Sequence, residues 1–281
     1  MLNIGIVGLD SSHSVSFSRY FNADEGRAFG RVVAAWPGGS SDVGLSANRV
    51  EAFTAQVRDS YQVEIVPRIA EVTAKCDAVL LLSMDGRRHA AQFAEIVERG
   101  CPVYINKPLA TSSSDARAIA ALATWRHVNW FSASMLRCVD LGPGKCSRAE
   151  VTCPLWFDDS NPGWFWYGIH GIELLYAAMG SGVASVSVRS VRERELLVAR
   201  WHDGRSGIVR GMLKKDVSYS ISLDGGPTQI VPLPMRRVEE ATARFLSGEA
   251  APVRNEETLE IIRCIEAANE SRARSGREVA L

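Results

Sequence analysis

The chain has 281 residues and balances 32 Lys plus Arg against 32 Asp plus Glu. It therefore lacks the basic excess that holds a phosphate backbone, and no charge run marks a nucleic-acid arm. Such a length suits two modest domains, with small molecules as the expected partners. The start MLNIGIVG has no basic stretch leading into a long apolar run, and no segment reaches membrane-spanning length. The six cysteines show no CxxC pairing, so they read as reduced thiols of a cytoplasmic protein. Cys138, Cys146 and Cys153 are loosely clustered, but ordinary buried thiols explain that spacing better than a metal, and none is assigned.

Taken in chain order, residues 3–8 form an apolar β-branched run ending at Gly8, the pattern of a buried parallel strand entering a tight turn. A second such run covers 32–36. Helical spacing begins at Ser46, with Val50, Phe53 and Val57 on one face. Residues 77–83, DAVLLLS, make the clearest buried strand. Helical spacing returns from His89 to Arg99 and stops at Gly100. PVYINKP at 102–108 is a further strand, and Ser112 with Asp115 is placed as a capping box for the helix after it. Strand and helix alternate throughout. This predicts an α/β domain over residues 1–126 with the four strands adjacent in a parallel sheet, whose ligands sit beyond the strands' C-terminal ends.

Beyond residue 126 the rhythm changes to extended segments near 148–157, 183–192, 195–202, 206–213 and 217–223. A smaller α+β domain with a mostly antiparallel sheet is expected over 127–281. One helix, about 169–179, interrupts it. Two more close the chain near 238–246 and 256–274, the C-terminal one placed to pack back on the first domain. An apolar pattern through Val183, Val186, Val188, Leu197, Val198, Ile208 and Val209 suggests an outer sheet face that assembles a homo-oligomer, most simply a dimer.

The segments IGIVGLDSSH, CDAVLLLSMDGRRH, PVYINKPLA, GIHGIELLYAAMG and the terminal SRARSGREVAL, in that order, resemble the Gfo/Idh/MocA oxidoreductases, NAD(P)-dependent enzymes of sugars and polyols. The resemblance implies a Rossmann-like dinucleotide-binding domain holding NAD or NADP. It implies a catalytic lysine at Lys107 and a substrate-binding histidine at His170, facing one cleft with residues 10–13 and 164–167. Paired ammonium and imidazole groups hold a hydroxyl and carry away its proton while hydride leaves the same carbon. Gly8, Asp10, Ser11, Ser12, His13, Ser83, His89 and Asn106 would then border the cofactor. Trp164, Trp166 and Tyr167, in the aromatic run 156–167, would wall the substrate pocket, or else an oligomer interface.

Several positions depart from the family pattern. The turn Gly8-Leu9-Asp10-Ser11-Ser12-His13 keeps only the first glycine of GxGxxG, and Asp10 puts a carboxylate where a pyrophosphate should lie. Serine hydroxyls and the helix N-terminus offer phosphate ligands in place of the lost glycines, and a plain Asx-turn with a helix cap explains DSSH equally well. The strand at 32–36 runs into Trp36-Pro37-Gly38-Gly39 with no ribose-binding carboxylate. Asn106 replaces the usual Glu before Lys-Pro, and Trp166 the Asp found four residues before the histidine. Asp158 or Asp159 would supply a carboxylate, although DDSNPG reads first as a solvated turn. The segment 136–148 looks too short for the helix that longer relatives carry. Two functions follow: an NAD(P)-dependent oxidoreductase of a hydroxylated or carbonyl small molecule, or a non-redox relative (lyase, hydrolase or isomerase) or binding protein without the dinucleotide.

Overall fold

The computed structural model describes residues 1–142, 146–158 and 161–281. The chain divides into two compact units. The first comprises Met1–Ala110, Ser114–Ser132 and Arg236–Asn255, and the second Thr111–Ser113, Ala133–Met235 and Glu256–Leu281.

In the first unit the elements run β1 (Leu2–Val7), α1 (Ser12–Asn22), β2 (Gly30–Trp36), α2 (Gly44–Ala47), α3 (Val50–Tyr61), β3 (Glu64–Ile65), α4 (Ile69–Thr73), β4 (Ala78–Leu81), α5 (His89–Ile96), β5 (Val103–Ile105), α6 (Ser113–Trp125) and β6 (Trp130–Ser132). The sheet order is β3-β2-β1-β4-β5-β6, and every pairing is parallel. The four strands expected from their apolar runs are therefore adjacent, as the sequence predicts. All four residues of β4 are buried, which is why that strand reads as an unbroken hydrophobic run. The order reverses at β1, whose neighbours β2 and β4 lie on opposite sides. The crevice at such a switch point, beyond the strand ends, is where open α/β sheets bind ligands.

The helical pattern from Ser46 resolves into two pieces, α2 and α3, parted at residues 48–49. Only Val57 of α3 is fully buried, so Val50 and Phe53 line its half-buried side.

The second unit contains β7 (Arg148–Pro154), α7 (Gly168–Met179), β8 (Val183–Val191), β9 (Arg194–Trp201), β10 (Ser206–Met212), β11 (Ser220–Leu223) and β12 (Gln229–Ile230). After α8 (Met235–Leu246), which lies almost wholly in the first unit, come α9 (Asn255–Ala273) and β13 (Val279–Ala280). Its sheet order is β12-β11-β7-β10-β9-β8-β13, antiparallel except for the β7–β10 pair. Helix α7 covers β7 and β10 closely enough that a Cβ on Gly171 would meet Cys153 Sγ at 2.6 Å and Val209 at 2.8 Å. Segment 136–148 carries one short 3-10 turn, Met135–Cys138, among its described residues.

The outer apolar face expected for assembly needs correction. Val183, Val186, Val188, Leu197 and Val209 are buried within the unit, and only Val198 and Ile208 remain partly exposed. Alternation along a strand sends one set of side chains to each face, and the more apolar set is the one turned inward.

Candidate active site

At the C-terminal rim of the first sheet, Gly8 takes φ +96°, and a Cβ there would lie 2.3 Å from the backbone nitrogen of Ser83. This close approach explains the glycine. Gly8 N–H donates to Trp36 O at the end of β2 (2.9 Å), and Leu9 N–H to Pro37 O just beyond it (2.7 Å). Ser11 caps α1 and accepts from His13 N (3.3 Å).

Asp10 is completely buried. Its Oδ1 accepts the Met84 N–H (3.0 Å), across the switch point between β1 and β4, and its Oδ2 accepts the Ser46 hydroxyl (2.6 Å). Ser46 Oγ in turn accepts Ser40 N–H (2.8 Å), and the Ser40 hydroxyl donates to Asp85 (2.7 Å). Asp85, also fully buried, holds the Arg87 backbone N–H (3.0 Å) and its guanidinium (2.9 and 2.8 Å), and Arg87 pairs with Asp42 at 2.9 Å. The loops after β1, β2 and β4 are thus tied by one chain of side-chain hydrogen bonds. Burial pushes the Asp10 carboxyl up from its ordinary value, opposed by the hydrogen bonds from Ser46 and Met84.

Lys107 follows β5, and its peptide bond to Pro108 is cis. The Asn106 side chain accepts the Lys107 N–H (3.0 Å) and donates to Leu82 O (3.3 Å) and Ser83 O (3.4 Å). His13, in the first turn of α1, is pushed down to about 3, chiefly by burial and then by the charge of Lys107, with Asn106 acting in the opposite sense. It is a neutral imidazole beside an ammonium. His89 has its Nδ1 3.0 Å from Pro108 O and 3.1 Å from Leu109 O, and its Nε2 2.8 Å from Ser83 O. It links Ser83, just beyond β4, to the loop that carries Lys107. Ser83 is buried against the glycine turn. Ser12 is the exposed first residue of α1.

In the second unit, His170 lies in the first turn of α7 with Nδ1 2.7 Å from Ser134 Oγ, which also accepts Leu136 N–H (3.3 Å). The ring sits between Tyr167 (5.7 Å between centroids) and Tyr219 (5.9 Å). Beneath it, Glu173 accepts Ser134 N–H (3.2 Å) and pairs with buried Arg137 (3.1 Å), which also reaches Glu257 (2.6 Å). None of these three residues stood out in the sequence. A single carboxylate in the apolar helix GIHGIELLYAAM was the available signal, because a buried charge requires a partner.

The aromatic run divides. Tyr167 stacks on Trp156 (3.4 Å, 28°), and both line a cavity of 430 Å³ with Lys215, Tyr219, Ile230 and Leu233. Trp164 is a core residue instead. It is fully buried, and its indole N–H is held by Glu195 (2.9 Å). Trp166 is also buried and meets Tyr167 edge-on at 6.1 Å. Asp158 forms an isolated bridge with Asn161, whereas Asp159 lies outside the described residues.

Residues 2–133 match the family model described as "Oxidoreductase family, NAD-binding Rossmann fold". The first domain belongs to the Gfo/Idh/MocA family. Solved structures similar to the whole chain include apo scyllo-inositol dehydrogenase from Lactobacillus casei, at TM-score 0.77 and 14% identity, covering 100% of this chain and 98% of that one. An oxidoreductase from Agrobacterium radiobacter in complex with NAD+, L-tartaric acid and magnesium aligns at TM-score 0.76 and 16% identity, covering 99% and 98%. Myo-inositol dehydrogenase from L. casei in complex with NAD(H) and myo-inositol aligns at 0.73 and 15%, covering 100% and 97%. At such identities the likeness is one of fold. No curated protein matches the sequence. Both Lys107-Pro108 and the turn at residues 8–13 fall within the part of the chain that matches this Gfo/Idh/MocA model.

Proposed function

We propose that the protein is an enzyme that moves a proton on a hydroxylated or carbonyl small molecule, with Lys107 as proton donor and acceptor and His170 as a ligand to the substrate. The supporting observation is the setting of Lys107: beyond the end of β5, its backbone fixed by Asn106, its charge strong enough at His13 to help keep that imidazole neutral. An ammonium so placed holds a substrate oxygen and gives or takes its proton as the carbon changes oxidation state or bonding. Tyr167 would offer an aromatic face to a sugar-like ring.

In the version typical of the family, the proton step accompanies hydride exchange with NAD or NADP, and the nicotinamide supplies the hydride acceptor. The donor set at the turn does not fit a dinucleotide held in the usual way. Asp10 offers a buried carboxylate where backbone N–H groups should meet pyrophosphate. That observation favours the second version, in which Lys107 and His170 act in a lyase, hydrolase or isomerase. The oligomer is proposed to form through the partly exposed face around Val198 and Ile208, and light scattering tests it.

The role of Lys107 is tested by turnover of a panel of inositols, sugar acids and their keto forms, followed by proton NMR. Lys107→Ala should lower turnover by roughly a hundred- to ten-thousand-fold with little change in substrate affinity. Full activity in that variant would reject the assignment.

A further inference from the structure

The connections that follow β1, β2 and β4 converge on the switch point, where open α/β sheets bind their ligands. Asp10 stands where the fingerprint needs a glycine so that backbone can approach pyrophosphate, and its carboxylate bridges to Met84 N–H on the far side of the crevice. The hydrogen-bond pattern is that of an ionised group. Ser46 Oγ accepts from Ser40, so its own hydrogen goes to Asp10, and Met84 also donates. Both carboxylate oxygens are thereby satisfied without a proton. The nearest carboxylate after β2, Asp42, is paired with Arg87 and is not presented to a ribose.

We infer that Asp10, Ser46, Ser40 and Asp85 fill the pyrophosphate seat, so that the protein binds neither NAD nor NADP and carries out a redox-neutral reaction. The inference goes beyond the proton-transfer role of Lys107 and does not require it. A pyrophosphate would bring two negative charges to about 5 Å from a buried carboxylate. At an effective dielectric near 20, each would weaken binding on the order of a hundredfold. Swinging Asp10 aside relieves the repulsion only by leaving Met84 N–H and the buried carboxylate unsatisfied, a loss on the order of another tenfold or more. With no hydride acceptor bound, the electron pair of any bond that loses a proton stays on the substrate, so the substrate as a whole keeps its oxidation level. Isomerisation, elimination or addition of water, and hydrolysis meet that condition, whereas net oxidation does not.

The test is calorimetric titration of the full chain with NAD+, NADH, NADP+ and NADPH in turn, each raised to millimolar concentration. NADH fluorescence serves as a second readout. No saturable binding to the wild type is expected. Asp10→Gly, checked for a cooperative melt, should gain affinity by at least about tenfold into the measurable range. If that variant does not fold, Asp10→Asn removes the charge within the same shape and should gain in the same direction. A micromolar dissociation constant for the wild type with any of the four nucleotides would overturn the inference, and if neither variant folds this arm alone decides. A silent wild type with no gain in a folded variant would overturn the assignment to Asp10. These outcomes are separate from the Lys107 test, which reads turnover and not nucleotide affinity.

Discussion

Replacing Glu173 by Ala is the sharpest probe of what holds His170 in place. The Glu173 side chain is 3% exposed, and Arg137, at 5%, sits between it and Glu257. Removing the Glu173 carboxylate leaves the guanidinium buried with half its counter-charge and deprives Ser134 N–H of its acceptor. Breaking a buried pair by removing one partner typically costs about 3–5 kcal/mol, and the retained Glu257 puts this case near the lower end, at about 3 kcal/mol. For a domain of this size that corresponds to a fall in melting temperature of roughly 6–12 °C. Glu173→Gln keeps an acceptor for Ser134 but turns an amide N–H toward Arg137, and should fall between the two. Differential scanning calorimetry reads both. A shift below about 2 °C for Glu173→Ala would show that the charge is not held in a low-dielectric setting, and the account of the His170 platform would fail.

Gly8→Ala should destabilise by more than about 2 kcal/mol, since it combines a positive φ with a Cβ 2.3 Å from Ser83 N; urea melts giving wild-type stability would refute the close approach. His13 is pushed from an ordinary value of 6.5 down to about 3. Its unfolded form therefore takes up a proton that the folded form does not, and stability is lost as pH falls below 6.5. The loss should reach about 2 kcal/mol at pH 5 relative to neutral pH. Asp10, shifted upward, contributes with the opposite sign in the carboxylate range, so the His13 part is read by difference. His13→Asn should flatten the slope between pH 7 and 5, and an unchanged slope would mean that the imidazole ionises in the folded protein.

The central parallel strands were legible because strands buried on both faces need unbroken apolar runs, as in AVLL of β4 and VYI of β5. The two-residue strands β3, β12 and β13 were not legible, since such a length holds no periodicity. Asp10 was visible as a departure from the glycine pattern. Its partners were not, because Ser40 and Ser46 follow β2 and Met84 follows β4, and only the sheet order brings those connections to Asp10. The aromatic run announced itself by composition but not by depth. Trp164 faces Glu195 in the core, and Tyr167, three residues on, lines a cavity. His170 and Lys107 became candidates through resemblance, whereas the Arg137 platform needed the fold to bring residues 137, 173 and 257 into contact.

The most direct measurement of the central claim is a crystal structure of the chain grown with millimolar NADH. The expected result is an Asp10 carboxylate still on Met84 N–H and Ser46 Oγ, with no nucleotide density over the turn at residues 8–13. A dinucleotide whose pyrophosphate rests on that turn, with Asp10 swung away from Met84, would contradict it.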